Sequence, residues 1–455
     1  MATALALDFL ASEVLDARVT ASGGANGTRV NSSGFIAAAT CPRFDYDPVT
    51  RAPRGILIEE ARTNLLTNAE RFENGVWTKG NATIASNAAA APDGATTADK
   101  LVESSGSAEH YVTQVPAFTG GAAYTFSFFA KAGERSVIAC RGTGVWAADP
   151  RVRFALSGEG SVTVDSGTPT ATITAFPNGW YRCTMTATPT SSGGGEFRLS
   201  LYNSGYGYEG DGISGLYIWG AQLEAGSFAT SYIPTLAAAV TRSADNLTMT
   251  GTNFSSWFNA PEGTFVIDAE LPVNVNAELL SIYDNSDLTA NAFEIYKKTS
   301  LALAGYIVAG SAVQADMQTQ NLSAGAHKFA LAYKVNDCAA CTDGGTVVPD
   351  TSASMPSGLT AFAIGRYRNT GSGYVNSRVR RIMFDNTRRS DADLRVLTVG
   401  LAAVASLAEG SDTIGASGTV KIKAAAAITE DDDVLVSAGE VGPAAIVPAS
   451  RTVTI

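Results

Sequence analysis

The chain has 455 residues, 16% of them charged and 45% hydrophobic, with a formal net charge of −11; it is too long for one core and too apolar for disorder. An acidic surface repels phosphate backbones and anionic lipid, which argues against nucleic-acid and membrane-surface roles, and no apolar run reaches the length of a membrane span. The start, MATALALDFLASEVLDARV, has no basic n-region and carries acids early, so it does not read as a signal peptide.

Residues 1–65 hold few periodic segments. A GANG turn sits between Val19 and Val30, DYDP and APRG signal further turns, and 55–59 is a short strand. So little apolar sequence does not bury a core alone, and these residues are expected to donate strands to a neighbouring sandwich, preferably the second one. Residues 66–235 alternate through 123–132, 136–142, 152–158, 171–176, 180–189, 197–203 and 215–224, with Gly, Ser, Pro and Asn between. In 180–189, Tyr181, Cys183, Met185 and Ala187 form the less polar face, opposite Arg182, Thr184 and Thr186. Residues 236–247 are a linker. A second sandwich spans 248–400, its strands at 263–271, 279–284, 293–298, 303–310, 327–334, 360–367 and 377–385. A short helix closes it at 390–400, with Ser390 as N-cap and Asp391 and Asp393 in its first turn. Residues 401–455 form a small β module around the acidic turn EDDD (430–433). The fold class is therefore all-β, two antiparallel β-sandwiches plus a C-terminal β module, with less than about a tenth helix.

The cysteines are Cys41, Cys140, Cys183, Cys338 and Cys341. An odd, scattered set is no disulfide framework. Cys338 and Cys341 form a CxxC, but only His327 lies near enough in sequence to join them, so two small residues in a hairpin is the preferred reading over a zinc site. Calcium at EDDD competes with a simply solvated turn, and the solvated turn is preferred; no metal ligands are assigned. Only His110 and His327 offer histidine chemistry, and no GxSxG, P-loop, HExxH or dinucleotide fingerprint occurs. Carboxylate pairs remain the one enzymatic route. Glu59 with Glu60, Glu209 with Asp211, and Glu294 are its members, read as solvated surface acids. No enzyme is expected.

Aromatic loops say more. SGYGYEGDG (204–212) places Tyr206 and Tyr208 beside Glu209 and Asp211, the two halves of a sugar site: rings for the C–H face, carboxylates for hydroxyls. Packing in the sandwich is the competing reading, preferred for Tyr217 and Trp219. A second candidate is GRYRNTGSGY (365–374), with Tyr367, Arg368, Asn369 and Tyr374, against an ordinary strand connection.

Several runs resemble tail-fibre and head-spike proteins of tailed phages that carry a carbohydrate-binding-module-like jelly roll followed by a concanavalin A/laminin-G-like domain. They are PRFDYDPVTRAPRGILIEEARTNLL (42–66), ERFENGVWTKGNATI (70–84), APDGATTADKLVE (91–103), NGWYRC (178–183), YIWGAQLEAGSFATSYIPT (217–235), AVTRSADNLTMTGTNFSSWFNAPEGTF (239–265) and SRVRRIMFDNTRRSDADLRVLT (377–398). The resemblance implies a jelly roll at 66–235, a concanavalin-like sandwich at 248–400, and glycan or receptor binding on a virion assembled in the host cytoplasm. It also implies a homotrimer, partnered by other virion proteins and host glycan, with the C-terminal module or a sandwich surface as attachment element. A purely structural capsid decoration is the alternative, and a polysaccharide depolymerase a third reading.

Overall fold

Alternation decides the fold. In the strand Trp180–Ala187, Tyr181, Cys183, Met185 and Ala187 are buried while Arg182, Thr184 and Thr186 are half-exposed. One face points into a core and the other outward. The computed structural model describes residues 4–272, 276–298, 302–368 and 371–399. Of these, 52% are in strands and 4% in helices, so the protein is all-β and well inside the expected limit on helix.

The first sandwich consists of two six-stranded antiparallel sheets. One runs Thr170–Phe176, Trp180–Ala187, Tyr124–Lys131, Gly215–Ala225, Ala98–Glu103, Ala82–Ala89. The other runs Ser161–Ser166, Arg151–Ala155, Val137–Thr143, Glu196–Leu201, Tyr111–Gln114, Thr78–Gly80. Between them Phe126 stacks on Phe197 with centroids 5.0 Å apart, and Phe128 meets Phe154 edge-on at 5.8 Å. Trp219, Phe129, Trp180 and Tyr232 make a separate buried cluster, closed by Ile36.

The second sandwich draws on both ends of the described chain. Its eight-stranded sheet includes Glu262–Leu271, Gly325–Lys334 and Ser377–Asp385, and three strands from the first 65 residues: Leu5–Asp8, Arg43–Tyr46 and Pro53–Ile58. Leu5 pairs with Phe384, and Ile58 with Ser377. Its seven-stranded sheet begins with Thr20–Gly23 against Asp245–Thr250, then Ala361–Ile364, Ala277–Tyr283, Ala292–Lys297, Ala302–Ala309 and Ala312–Asn321. The first sandwich is thus an insertion within the second. A two-stranded stem, Arg62–Asn64 against Val240–Arg242, marks its entry and exit.

At the stem lies a fully buried ionic cluster. Arg43 donates from Nε to Asp245 (3.1 Å), from Nη2 to Glu59 (2.7 Å) and Asp245, and from Nη1 to the Thr28 carbonyl (2.9 Å) and Ser231 Oγ (2.7 Å). Ser231 in turn donates its N–H and hydroxyl to Glu59, at 2.8 and 2.7 Å. Arg242 stands 3.6 Å from Glu59 and 3.7 Å from Asp245. Arg43, Arg242 and Asp245 are wholly inaccessible to solvent. Two cations meet two anions, and their other donors reach backbone carbonyls and a serine, except Arg242 Nε, which has no hydrogen-bond partner among the described residues.

The helix is Asp391–Thr398; Ser390 Oγ accepts the Asp393 N–H at 3.1 Å, and Leu394 packs beneath. Cys338 and Cys341 lie in the strand Cys338–Thr342, and a spacing of three sends them to opposite faces. Cys338 joins the sandwich core and Cys341 the layer under the helix. The turn EDDD and the rest of 401–455 lie outside the described residues.

Candidate functional site

The loop 204–212 does not gather its four candidates into one place. Gly207–Gly210 is a strand paired with Gly106–Glu109, so adjacent Tyr208 and Glu209 point to opposite sides. Tyr208 turns inward and is 8% exposed. Its hydroxyl donates to Glu103 at 2.6 Å, and its ring lies edge-on to His110 at 4.8 Å. Burial and the Glu103 carboxylate hold the phenol above its ordinary range. Tyr208 therefore offers no stacking face to a sugar, contrary to the sequence expectation. Tyr208→Phe, which removes only the hydroxyl, should lower stability by about 1.5–3 kcal/mol, read by thermal or urea unfolding.

Asp211 is exposed, but its carboxylate is engaged locally. It accepts the N–H groups of Ile213 and Ser214, both at 2.7 Å, and the Ser214 hydroxyl at 2.6 Å. These bonds hold it well below the usual carboxylate range. Its role is to fix the turn. Glu209 is exposed on the far side of the strand.

Tyr206 belongs to a different surface, the outer face of the sheet Arg151–Ala155, Val137–Thr143, Glu196–Leu201, Tyr111–Gln114. Arg198, Arg141 and Arg151 stand directly across from one another on three neighbouring strands. Arg153 lies one step along the same face, while small Ala139 and Ser200 are buried beneath. Like charges in register repel, and four carboxylates offset them. Arg198 binds Glu109 (2.8 Å) and Glu196 (2.6 Å), Arg141 binds Asp149 (2.8 Å), and Arg153 binds Asp165 through two nitrogens (2.6 and 2.7 Å). Arg151 is the exception. It approaches Asp149 only at 3.9 Å; its Nε, like those of Arg141 and Arg198, has no hydrogen-bond partner among the described residues.

Three tyrosines lie under these guanidinium groups: Tyr111 under Arg198 at 3.7 Å, Tyr202 under Arg153 at 4.6 Å, Tyr206 under Arg151 at 5.3 Å. Tyr202 and Tyr206 meet edge-on at 5.4 Å, and the Tyr206 hydroxyl donates to Asp165 at 2.8 Å. The face thus presents half-buried rings beside cationic donors. Sequence reasoning missed the arginines, although the alternation Arg151-Val152-Arg153 places both on the outward parity.

The second candidate loop divides likewise. Tyr374 is buried in the core of the second sandwich, a correction to its expected role in binding, and Asn369 lies outside the described residues. Tyr367 is half-buried and lines a hollow of about 540 Å³ on the outer face of the seven-stranded sheet. Arg368 is buried beside it, with Nε bonded to Glu294 at 2.5 Å. Glu294 is thus a buried, paired carboxylate, not the solvated surface acid the sequence suggested.

No protein-family model matches the chain, and no curated protein matches it. Similar solved structures include a CBM40 domain of the Ruminococcus gnavus IT-sialidase bound to α2,3-sialyllactose (15% identity, TM-score 0.28, 31% of this chain and 84% of that one). The NanB sialidase from Streptococcus pneumoniae is another (12% identity, TM-score 0.29, 33% of this chain and 26% of that one). A third is the LG1-3 region of the laminin α2 chain (10% identity, TM-score 0.24, 64% of this chain and 67% of that one). The fold assignment rests on the strand pairing itself.

Proposed function

We propose that this chain is a non-enzymatic virion surface protein of a phage, a tail fibre or head spike, that binds host cell-surface glycan through the arginine–tyrosine face of its first sandwich. The observation that carries the site is the register row Arg198, Arg141, Arg151 over tyrosine rings, with Arg151 weakly partnered. A guanidinium fork matches a carboxylate, and a phenol ring takes the apolar face of a pyranose. The ligand class is an acidic sugar, held by Arg151 with Tyr206 and Tyr202. The phage context is supported by the sequence runs that resemble fibre and spike proteins, and homotrimeric assembly would multiply a weak single site into useful adhesion.

An array of acidic and neutral glycans tests this. The expected result is binding to carboxylated glycans, weakened at least tenfold by Arg151→Ala combined with Tyr206→Ala, with the melting temperature unchanged. Incorporation into particles with no glycan bound would replace this reading by a structural decoration, and release of new reducing ends by a depolymerase. Light scattering that gives a monomer at micromolar concentration would remove the trimer.

A further inference from the structure

The hollow on the second sandwich has a composition of its own. Two register rows cross the outer face of the seven-stranded sheet. One runs Ser281, Glu294, Tyr306, Asp316, and the other Glu278, Tyr296, Ala304. Ala304 adds only a methyl between larger neighbours, which leaves room over the sheet. Tyr296 and Tyr306 stand edge-on at 5.8 Å on one side, and Tyr367 lines the hollow as well.

The carboxylates are unequal. Glu294 is held by Arg368, and Asp316 by Lys298 at 2.9 Å. Glu278 is 6% exposed and lines the hollow, yet its Oε1 has no hydrogen-bond partner among the described residues. A buried carboxyl oxygen without a partner is a standing cost to the fold. Burial, followed by the neighbouring Glu294 carboxylate, pushes its pKa well above the ordinary value. Around the hollow, Lys298 and Arg368 are each already paired with a carboxylate, so an anionic sugar finds no unmatched cation among the described residues.

We propose that this hollow is a second saccharide site, distinct from the arginine face, which takes an uncharged sugar whose hydroxyls meet the Glu278 carboxyl and whose ring lies against Tyr296, Tyr306 and Tyr367. A pyranose brings donors and acceptors to the unsatisfied Glu278 Oε1 and an apolar C–H face to the rings. The retained burden of an unpaired carboxyl is what a binding function explains and a merely structural sheet face does not.

Saturation-transfer NMR on the full chain provides the test, with maltose, cellobiose, lactose, chitobiose and mannobiose as probes. At least one should show transfer. Glu278→Leu should abolish it while raising Tm by about 2–4 °C, because an unsatisfied polar group is removed. Glu278→Gln, which keeps the shape and hydrogen-bonding capacity, guards against misfolding and should retain transfer within tenfold. Tyr296→Ala should weaken the same probe at least fivefold. Absence of transfer from all five sugars would overturn the proposal. So would transfer that survives Glu278→Leu, or a fall in Tm with that variant, since the carboxyl would then be serving the fold.

Discussion

Arg43→Ala should destabilise the protein by about 3–5 kcal/mol, because it strands Glu59 and Asp245 as buried, uncompensated charges. Arg43 is wholly inaccessible and serves two carboxylates, a carbonyl and a serine, reaching Thr28, Glu59, Ser231 and Asp245. Glu59→Ala should cost a similar amount, and the two losses should be far from additive, since each removes the other's partner. Urea unfolding of the two single variants and of the double variant measures this, and a loss under about 1 kcal/mol for Arg43→Ala would contradict the reading. The same cluster sets an acid response. Burial raises the Glu59 pKa, but the Arg43 and Arg242 guanidinium groups outweigh it and hold the carboxyl well below its ordinary 4.5. A group depressed in the folded state stabilises above its unfolded pKa, so this contribution is present at neutral pH and is lost as pH falls below about 4.5. Stability measured from pH 7 down to pH 3 should decline more shallowly in Glu59→Gln than in the native chain.

A fragment that begins at residue 240 and ends at 398 should not fold alone. It contains most of the second sandwich but lacks four of its strands: Leu5–Asp8, Thr20–Gly23, Arg43–Tyr46 and Pro53–Ile58. The missing residues supply Leu5, Leu7, Phe9, Phe44, Ile56 and Ile58 to one buried core. At about 1.5–3 kcal/mol for each buried side chain, their removal withdraws roughly 10 kcal/mol, as much as a whole domain's stability. It also opens the edges of both sheets, which invites aggregation. The fragment should be insoluble or molten by circular dichroism and near-UV spectra, and a sharp thermal transition would refute the claim. Residues 1–65 supplied in trans should restore part of the signal.

Periodicity made the fold class legible, and it did so best where both faces of a strand have distinct jobs. Trp180–Ala187 is such a strand. The site was less legible, for two physical reasons. Glycine-rich SGYGYEGDG reads as a loop because glycine weakens strand propensity, yet 207–210 pair as a strand and send Tyr208 inward. The arginine face, by contrast, depends on registers between strands distant in sequence: Arg141 meets Arg198 and Arg151 only after the sheet is assembled. Register lies outside what alternation within one segment can reveal. Glu278 escaped notice for a related reason, since its missing partner is a property of the assembled sheet. The runs that carry the family resemblance are legible in a different sense. PRFDYDPVTRAPRGILIEEARTNLL contributes Arg43 and Glu59, ATSYIPT contributes Ser231, and AVTRSADNL contributes Arg242 and Asp245. Those residues build the buried cluster at the stem.

The stem Arg62–Asn64 with Val240–Arg242 also orders events on the ribosome. Ile58 must wait for Ser377 to emerge, about 320 residues later, which at ~5–20 residues per second is roughly 15–60 s of translation. From the emergence of Ala225 onward the inserted sandwich has its complete set of strands outside the exit tunnel, whereas Leu5, Phe44 and Ile56 remain bare on the nascent chain until Ser377 follows. Synthesis of this protein therefore calls for a holdase or for rapid elongation, and slow codons placed between 240 and 377 should depress its soluble yield more than the same codons placed before residue 60.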